Sequence, residues 1–288
     1  MSWRTRRANR TETNAAGSID VAPELVEPGV ISTDANETFP AIDPVDGSLW
    51  FSTYSGSFDE QTIMVARASE TGFAEPAVAP FSGTHGDRAP RFAPDGGRLY
   101  FTSNRPTSPG GSASDMNIWV VERLPDGGWG EPRLVPPPVS SPDGRDIHAA
   151  VTGDGTVYVA SNRPGSRGRS DIFRIPAVDG GFGEAEALGP VINDSLSQPD
   201  IFVSADESWM ILVITDGPDG LGGDDLYLAR AADGSWSEPR NLGAPINSSD
   251  YEYGPTLSPD GRYLYYTSHR GGSADVFRVP VAALDVRM

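Results

Sequence analysis

Five times along the chain, a short segment rich in polar residues or proline leads through an Asp-centred turn into a run of aromatic and β-branched residues. The runs are Leu49-Trp50-Phe51, Leu99-Tyr100-Phe101, Val157-Tyr158-Val159, Met210-Ile211-Leu212 and Leu264-Tyr265-Tyr266. Unbroken apolar runs of these residue types predict strands buried on both faces. The turns are Val45-Asp46-Gly47, Pro94-Asp95-Gly96, Gly153-Asp154-Gly155, Ala205-Asp206-Glu207 and Pro259-Asp260-Gly261, with their Asp residues 49, 59, 52 and 54 positions apart. A period near 50 residues marks a repeat architecture.

The segment before each turn, such as Ala89-Pro90-Arg91-Phe92, supplies a first strand. A third strand follows each Gly-rich loop: Ile63-Met64-Val65, Ile118-Trp119-Val120, Ile172-Phe173-Arg174, Leu226-Tyr227-Leu228 and Val276-Phe277-Arg278. A fourth is expected at Phe73-Ala74-Glu75-Pro76, Trp129-Gly130-Glu131-Pro132, Phe182-Gly183-Glu184-Ala185 and Trp236-Ser237-Glu238-Pro239, since proline is tolerated on an outer edge. Only four such markers follow five cores. The missing one appears at the other terminus, where Ala22-Pro23-Glu24-Leu25 resembles Glu238-Pro239-Arg240-Asn241-Leu242. The chain is therefore expected to be all-β, a five-bladed β-propeller of four-stranded antiparallel blades closed by an N-terminal strand joining the last blade. Residues 20–288 would form this single domain, with blades starting near 36, 86, 145, 197 and 251, and residues 1–19 a disordered tail.

The stretches Pro94-Asp95-Gly96-Gly97-Arg98-Leu99-Tyr100-Phe101-Thr102-Ser103-Asn104-Arg105 and Pro259-Asp260-Gly261-Arg262-Tyr263-Leu264-Tyr265-Tyr266-Thr267-Ser268 resemble the WD40-like repeat called PD40. That repeat builds the propeller of the periplasmic protein TolB and its relatives. The run from Ser161-Asn162-Arg163-Pro164-Gly165 to Ser170-Asp171-Ile172-Phe173 is similar to the version found beside OmpA-type cell-envelope domains. The resemblance covers roughly residues 36–280. It implies a TolB-like propeller that binds a small molecule or a protein through its central funnel, in the periplasm or outside the cell. A structural envelope scaffold is the other role it implies. The Arg6-Arg7 pair is followed by a polar stretch, Ala8 to Asp20, where an export signal needs an apolar one.

Charge narrows the partners. The formal net charge is −18, from 22 basic and 40 acidic residues; every basic residue is Arg. Such a surface repels phosphate backbones and excludes nucleic acid as a partner, leaving cations, basic partners and neutral polyols. With no Cys and no Lys, disulfides, thiolate catalysis and Schiff-base chemistry are also excluded. No apolar window is long enough for a membrane span, and a monomer is expected.

Aligning the copies on the turn Asp puts Glu37, Asp87, Asp146, Gln198 and Glu252 at one position just before the first strand. If these side chains ring the funnel mouth, they could serve as an acid/base pair or as oxygen ligands for a metal. A position repeated in every blade more often serves the repeat itself, by accepting backbone N–H bonds or pairing with Arg. Residues at which the copies disagree therefore carry the functional expectation. Asp87, Asp146, His148 and Glu252 are candidate catalytic groups for a carbohydrate-active hydrolase or lyase. Glu37, Tyr54, Arg88, Asn104, Asn162, Gln198, Tyr253 and His269 are candidate ligand contacts.

Arg105, Arg163 and Arg270 co-occur with Asn117, Asp171 and Asp275 at the third strand, which suggests a clamp across the long loop. The loop from Asp216 to Asp225 has the acid and Gly content of a calcium loop without EF-hand spacing. Asp216, Asp219 and Asp224 are its candidate ligands for Ca or another divalent cation; the alternative is a turn-rich loop with Asx caps, and no other cofactor is expected.

Overall fold

The computed structural model describes residues 22–284 apart from 71, 109 and 112–114; the expected tail at residues 1–19 lies outside the described residues. Five antiparallel blades form a β-propeller. The first strands are Asn36–Ile42, Asp87–Phe92, Asp146–Val151, Ser197–Val203 and Glu252–Leu257. The second strands are Leu49–Tyr54, Arg98–Ser103, Val157–Ser161, Trp209–Thr215 and Tyr263–Ser268. The third are Thr62–Ala66, Asn117–Glu122, Asp171–Ile175, Asp224–Ala232 and Asp275–Pro280. In each turn the Asp carboxylate accepts the N–H two residues on, from Ser48, Gly97, Thr156, Ser208 and Arg262, at 2.9–3.1 Å. This Asx turn is why Asp marks every repeat.

Alternation along the second strand builds the ring. In blade 1, Leu49 and Phe51 pack towards blade 5 while Trp50 packs towards blade 2. In blade 4, Met210 and Leu212 face blade 3 while Ile211 and Val213 face blade 5. Both faces are thus buried against different neighbours, and five apolar clusters result, one at each interface.

The outer strands correct the expectation from sequence. The aromatic of each Phe/Trp-x-Glu marker sits next to the fourth strand, not in it. Phe73, Phe182 and Trp236 lie in short hairpins at the end of the third strand, and Trp129 in the corresponding bridge with Arg123. The fourth strands come just after, at Ala77–Val78, Arg133–Leu134, Glu186–Ala187 and Arg240–Asn241. In three of the four, proline (Pro76, Pro132 and Pro239) serves as the link between hairpin and strand, where its missing N–H removes no ladder bond.

The fifth blade is completed by Glu24–Leu25, which pair antiparallel with Arg278 and Phe277. Val26 and Ile31 then enter the apolar cluster between blades 5 and 1. The N-terminal segment also copies the links between blades. Ser82, Ser140, Asn193 and Asn247 bond the main chain of the preceding third strand, at Ile63, Ile118, Ile172 and Leu226. Ser32 does the same to Val276.

The first strands line the central channel and each is broken by a bulge. In three blades the bulge holds a residue with positive φ followed by proline: Phe39 (53°), Ala89 (52°) and Gly254 (69°). Their N–H groups donate to Thr267 Oγ1, Ser52 Oγ and Asp200 Oδ2 on the preceding blade, at 2.9, 3.0 and 2.7 Å. Blade 2 accepts an alanine there, but a Cβ on Gly254 would sit 3.0 Å from the Phe39 Cα. Gly254→Ala is expected to cost about 1–2 kcal/mol of stability from the left-handed backbone alone. Urea unfolding measures it, and a wild-type midpoint would show that the channel has slack.

Candidate functional site

The long loops gather at one mouth of the channel and the Asp turns at the other. Four of the five shared polar positions open their blades in the same way. The N–H groups of Glu37, Asp87, Asp146 and Gln198 donate to Ala274, Gln61, Met116 and Ser170 of the preceding blade at 2.7–3.0 Å. Their side chains, with that of Glu252, are buried (0–3% exposed) and engaged within the protein. Asp87 receives Ser82, Ser103 and Arg105, the last at 2.7 Å. Asp146 receives the Ser141 N–H and Arg163, both at 2.6 Å. Glu252 receives Ser248, Ser268 and, at 3.5 Å, Arg270. Glu37 receives Thr33, and Gln198 donates to Asp194.

These are latches that hold the incoming link to the blade. Burial raises the Asp146 and Glu37 carboxyls above the usual range, against the opposing pull of Arg163 and Thr33. The partner of Arg105, Arg163 and Arg270 is thus the first-strand acid, which corrects the expected clamp to the third strand. Asp171 and Asp275 instead take local groups, the N–H of Arg167 and Gly168 and the Ser273 hydroxyl.

The open space at the long-loop mouth lies elsewhere. A cavity of about 310 Å³ is bounded by residues from blades 1, 3, 4 and 5. Its wall is aromatic: Phe39, Tyr54, Phe58, Tyr251 and Tyr253, with Ile147 and Pro199. Phe39 touches Phe58, Tyr253 and His148 at centroid distances of 6.0, 5.0 and 4.5 Å. The polar groups are His148, Asp200, Asp224 and His269.

Of the expected contacts, Tyr54, His148, Tyr253, His269 and Asp224 come together here. Arg88 lies behind the wall, stacked on Phe58 at 5.0 Å and paired with Asp59 at 3.0 Å. Asn104 and Asn162 accept the N–H groups of Gly86 and Arg145 and so shape loops. In the acidic loop, Asp219 accepts the Tyr227 hydroxyl and Asp225 caps Leu221. The Asp216 main-chain N–H closes the loop onto Gly223 O. Among the described residues, no three acidic or histidine side chains converge as metal ligands.

Phe39 and Asp200 were not singled out by sequence, although a signal existed. They stand two residues after Glu37 and Gln198, the same register as His148 after Asp146. The bulge aims this register at the channel, and the five copies disagree there completely: Phe39, Ala89, His148, Asp200 and Gly254.

His148 is 4% exposed, and its Nδ1 lies 2.9 Å from Pro199 O and 3.3 Å from Asp200 Oδ1. Both neighbours are acceptors, so Nδ1 carries the proton and Nε2 keeps its lone pair. Nε2 is itself buried and has no hydrogen-bond partner among the described residues. Asp200 also accepts the N–H groups of Ile201 and Gly254 and lies 3.6 Å from Arg91. Arg91 belongs to the wall of the turn-side cavity, so Arg91, Asp200 and His148 form a polar partition between the two mouths.

Burial, reinforced by Arg88 and Arg91, pushes His148 down to about 4. The unfolded ring titrates near 6.5, so as pH falls from 6.5 to 4 the unfolded chain takes up a proton that the folded one refuses. Stability from this ring is complete above pH 6.5 and falls by on the order of 3 kcal/mol by pH 4. Wild type should lose that much more than His148→Gln between pH 7 and pH 4 in urea unfolding. Parallel pH profiles would rule the buried neutral ring out.

Fold and site together define a class: a five-bladed propeller with a small aromatic pocket at one mouth of its channel. Within that class the chain has the TolB-like propeller fold. TolB from Acinetobacter baumannii superposes with a TM-score of 0.53 at 18% identity, over 92% of this chain and 61% of that one. A glycoside hydrolase superposes with a TM-score of 0.60 at 10% identity, over 91% of both chains. The chain spans 34% of a Mycobacterium tuberculosis puromycin-hydrolyzing peptidase, at 17% identity over 80% of its own length and a TM-score of 0.47. No family model matches the chain, and no curated protein does.

Proposed function

We propose that the protein is a monomeric binding module that holds a small ligand in the pocket at the long-loop mouth. One observation carries this: an aromatic pocket assembled from four blades, with Asp224 and His269 among its polar lining groups. A concave, mostly apolar space with a few converging polar groups is the usual form of a small-molecule site. Glu24–Leu25 cover the edge of Asp275–Pro280 and close the ring, leaving the fifth blade with the same two-residue outer strand as the others, which supports the monomer.

The hydrolase alternative cannot rest on Asp87, Asp146 and Glu252, whose carboxylates are spent in latches. It would rest on Asp200 and Asp224, the two carboxylates in the pocket. Burial, with Asp216 and Asp200 nearby, raises Asp224 above the usual carboxyl range, as a general acid requires.

Thermal unfolding against a panel of alkyl amines, carboxylates, alcohols and monosaccharides tests the binding role. At least one class should raise the wild-type midpoint, and Tyr251→Ala should reduce the shift. Tyr251 is half exposed, so its removal should change stability by less than about 0.5 kcal/mol while weakening the ligand roughly threefold to tenfold. A panel without effect, or a shift untouched by Tyr251→Ala, removes this pocket as the site. Product formation from any panel member, abolished by Asp224→Asn, would favour the enzyme.

A further inference from the structure

Blade 4 departs from the other blades at the pocket. The position occupied by Asp224 is Gln61, Met116, Ser170 and Ala274 in the others. Asp224 Oδ1 receives the Thr215 hydroxyl at 2.6 Å, and among the described residues no ion pair involves this carboxylate. Asp200, the other acid of the wall, is compensated by Arg91 and the Gly254 N–H.

No arginine lines the cavity, and the sequence has no lysine to reach it. The pocket therefore offers a half-buried carboxylate outside any ion pair among the described residues, and a wall of aromatic faces. Phe58 and Tyr251 are 41% and 50% exposed at its rim. Each feature favours a positively charged group that carries N–H donors. A carboxylate accepts charge-assisted bonds, and aromatic faces attract cations. An anion would meet Asp224 and its acidic neighbours Asp200 and Asp216, with only the field of Arg169 to offset the repulsion. A volume near 310 Å³ stands at the small end of ligand pockets and limits the body that fits.

We infer that the pocket, on the binding role proposed above, takes a small primary or secondary organic ammonium ion. Asp224 receives its N–H groups, and the aromatic wall receives its carbon body. Calorimetric titration at pH 7 with phenethylamine, 2-phenylethanol, phenylacetate and methyl glucoside tests this, because the first three share one body and differ in charge. Phenethylamine should bind at least about tenfold more tightly than 2-phenylethanol. Asp224→Asn, which keeps the shape and the Thr215 bond, should erase that preference without lowering the unfolding midpoint.

If 2-phenylethanol, phenylacetate or methyl glucoside binds as tightly as the amine, the ammonium assignment is wrong and the binding role stands. An amine preference that survives Asp224→Asn also overturns the assignment. If none of the four binds, the ammonium assignment falls, and the wider panel then decides the binding role separately.

Discussion

Asp146→Ala should lower the unfolding free energy by about 3–5 kcal/mol, as expected when one partner of a buried ion pair is removed. Asp146 is wholly buried, and Arg163 is 6% exposed with its Nη2 at 2.6 Å. The substitution leaves a guanidinium in the interior with the Pro138 and Val139 carbonyls, the Ser161 hydroxyl and the Phe173 ring, and no counter-charge among the described residues. It also frees the Ser141 N–H. A loss of that size corresponds to a fall in melting temperature on the order of 10 °C for a chain of this length. Arg163→Met in the same chain should recover part of it, because the cost lies mainly in the stranded charge. Asp146→Ala unfolding at the wild-type midpoint would mean that the latch contributes nothing.

A chain beginning at Glu27 should lose a comparable amount, roughly 3–5 kcal/mol. Val26 is 4% exposed in the cluster between blades 5 and 1, and burying it contributes about 1.5–3 kcal/mol. Its N–H bond to Val276 O and the ladder bonds of Glu24 and Leu25 add about 1 kcal/mol each. The Glu24–Arg278 pair is exposed and adds little. Truncation also bares the outer edge of Asp275–Pro280, so self-association on a sizing column should rise. A peptide of residues 20–26 added at millimolar concentration should restore part of the melting temperature. A truncated chain that is monomeric and fully stable would show that the ring closes without this strand.

The repeat was legible in sequence because its markers are local. An Asp two residues before a needed N–H makes a turn by itself, and an aromatic and β-branched run makes a strand wherever two neighbours can cover it. The fourth strands were displaced by a few residues because they are only two residues long and pair at an edge, where pattern is weakest. The partners of Arg105, Arg163 and Arg270 were misassigned for a different reason. The first-strand acid and the third-strand acid both lie near the end of the second strand, and spacing cannot say which side chain reaches the guanidinium.

The sequence by itself determined the five-blade ring, its closure by the N-terminal segment and the burial of the second strands. Each follows from contacts between residues close in the chain or from one repeated unit meeting its copy. Only the tertiary structure decided where the acids go. The side chains of Asp87, Asp146 and Glu252 turn into the blades, whereas a bulge two residues further on turns Phe39, His148 and Asp200 to the channel. Side-chain direction at a bulge depends on local backbone twist and on hydrogen bonds to the neighbouring blade, and neither is written in the spacing of residues along one chain.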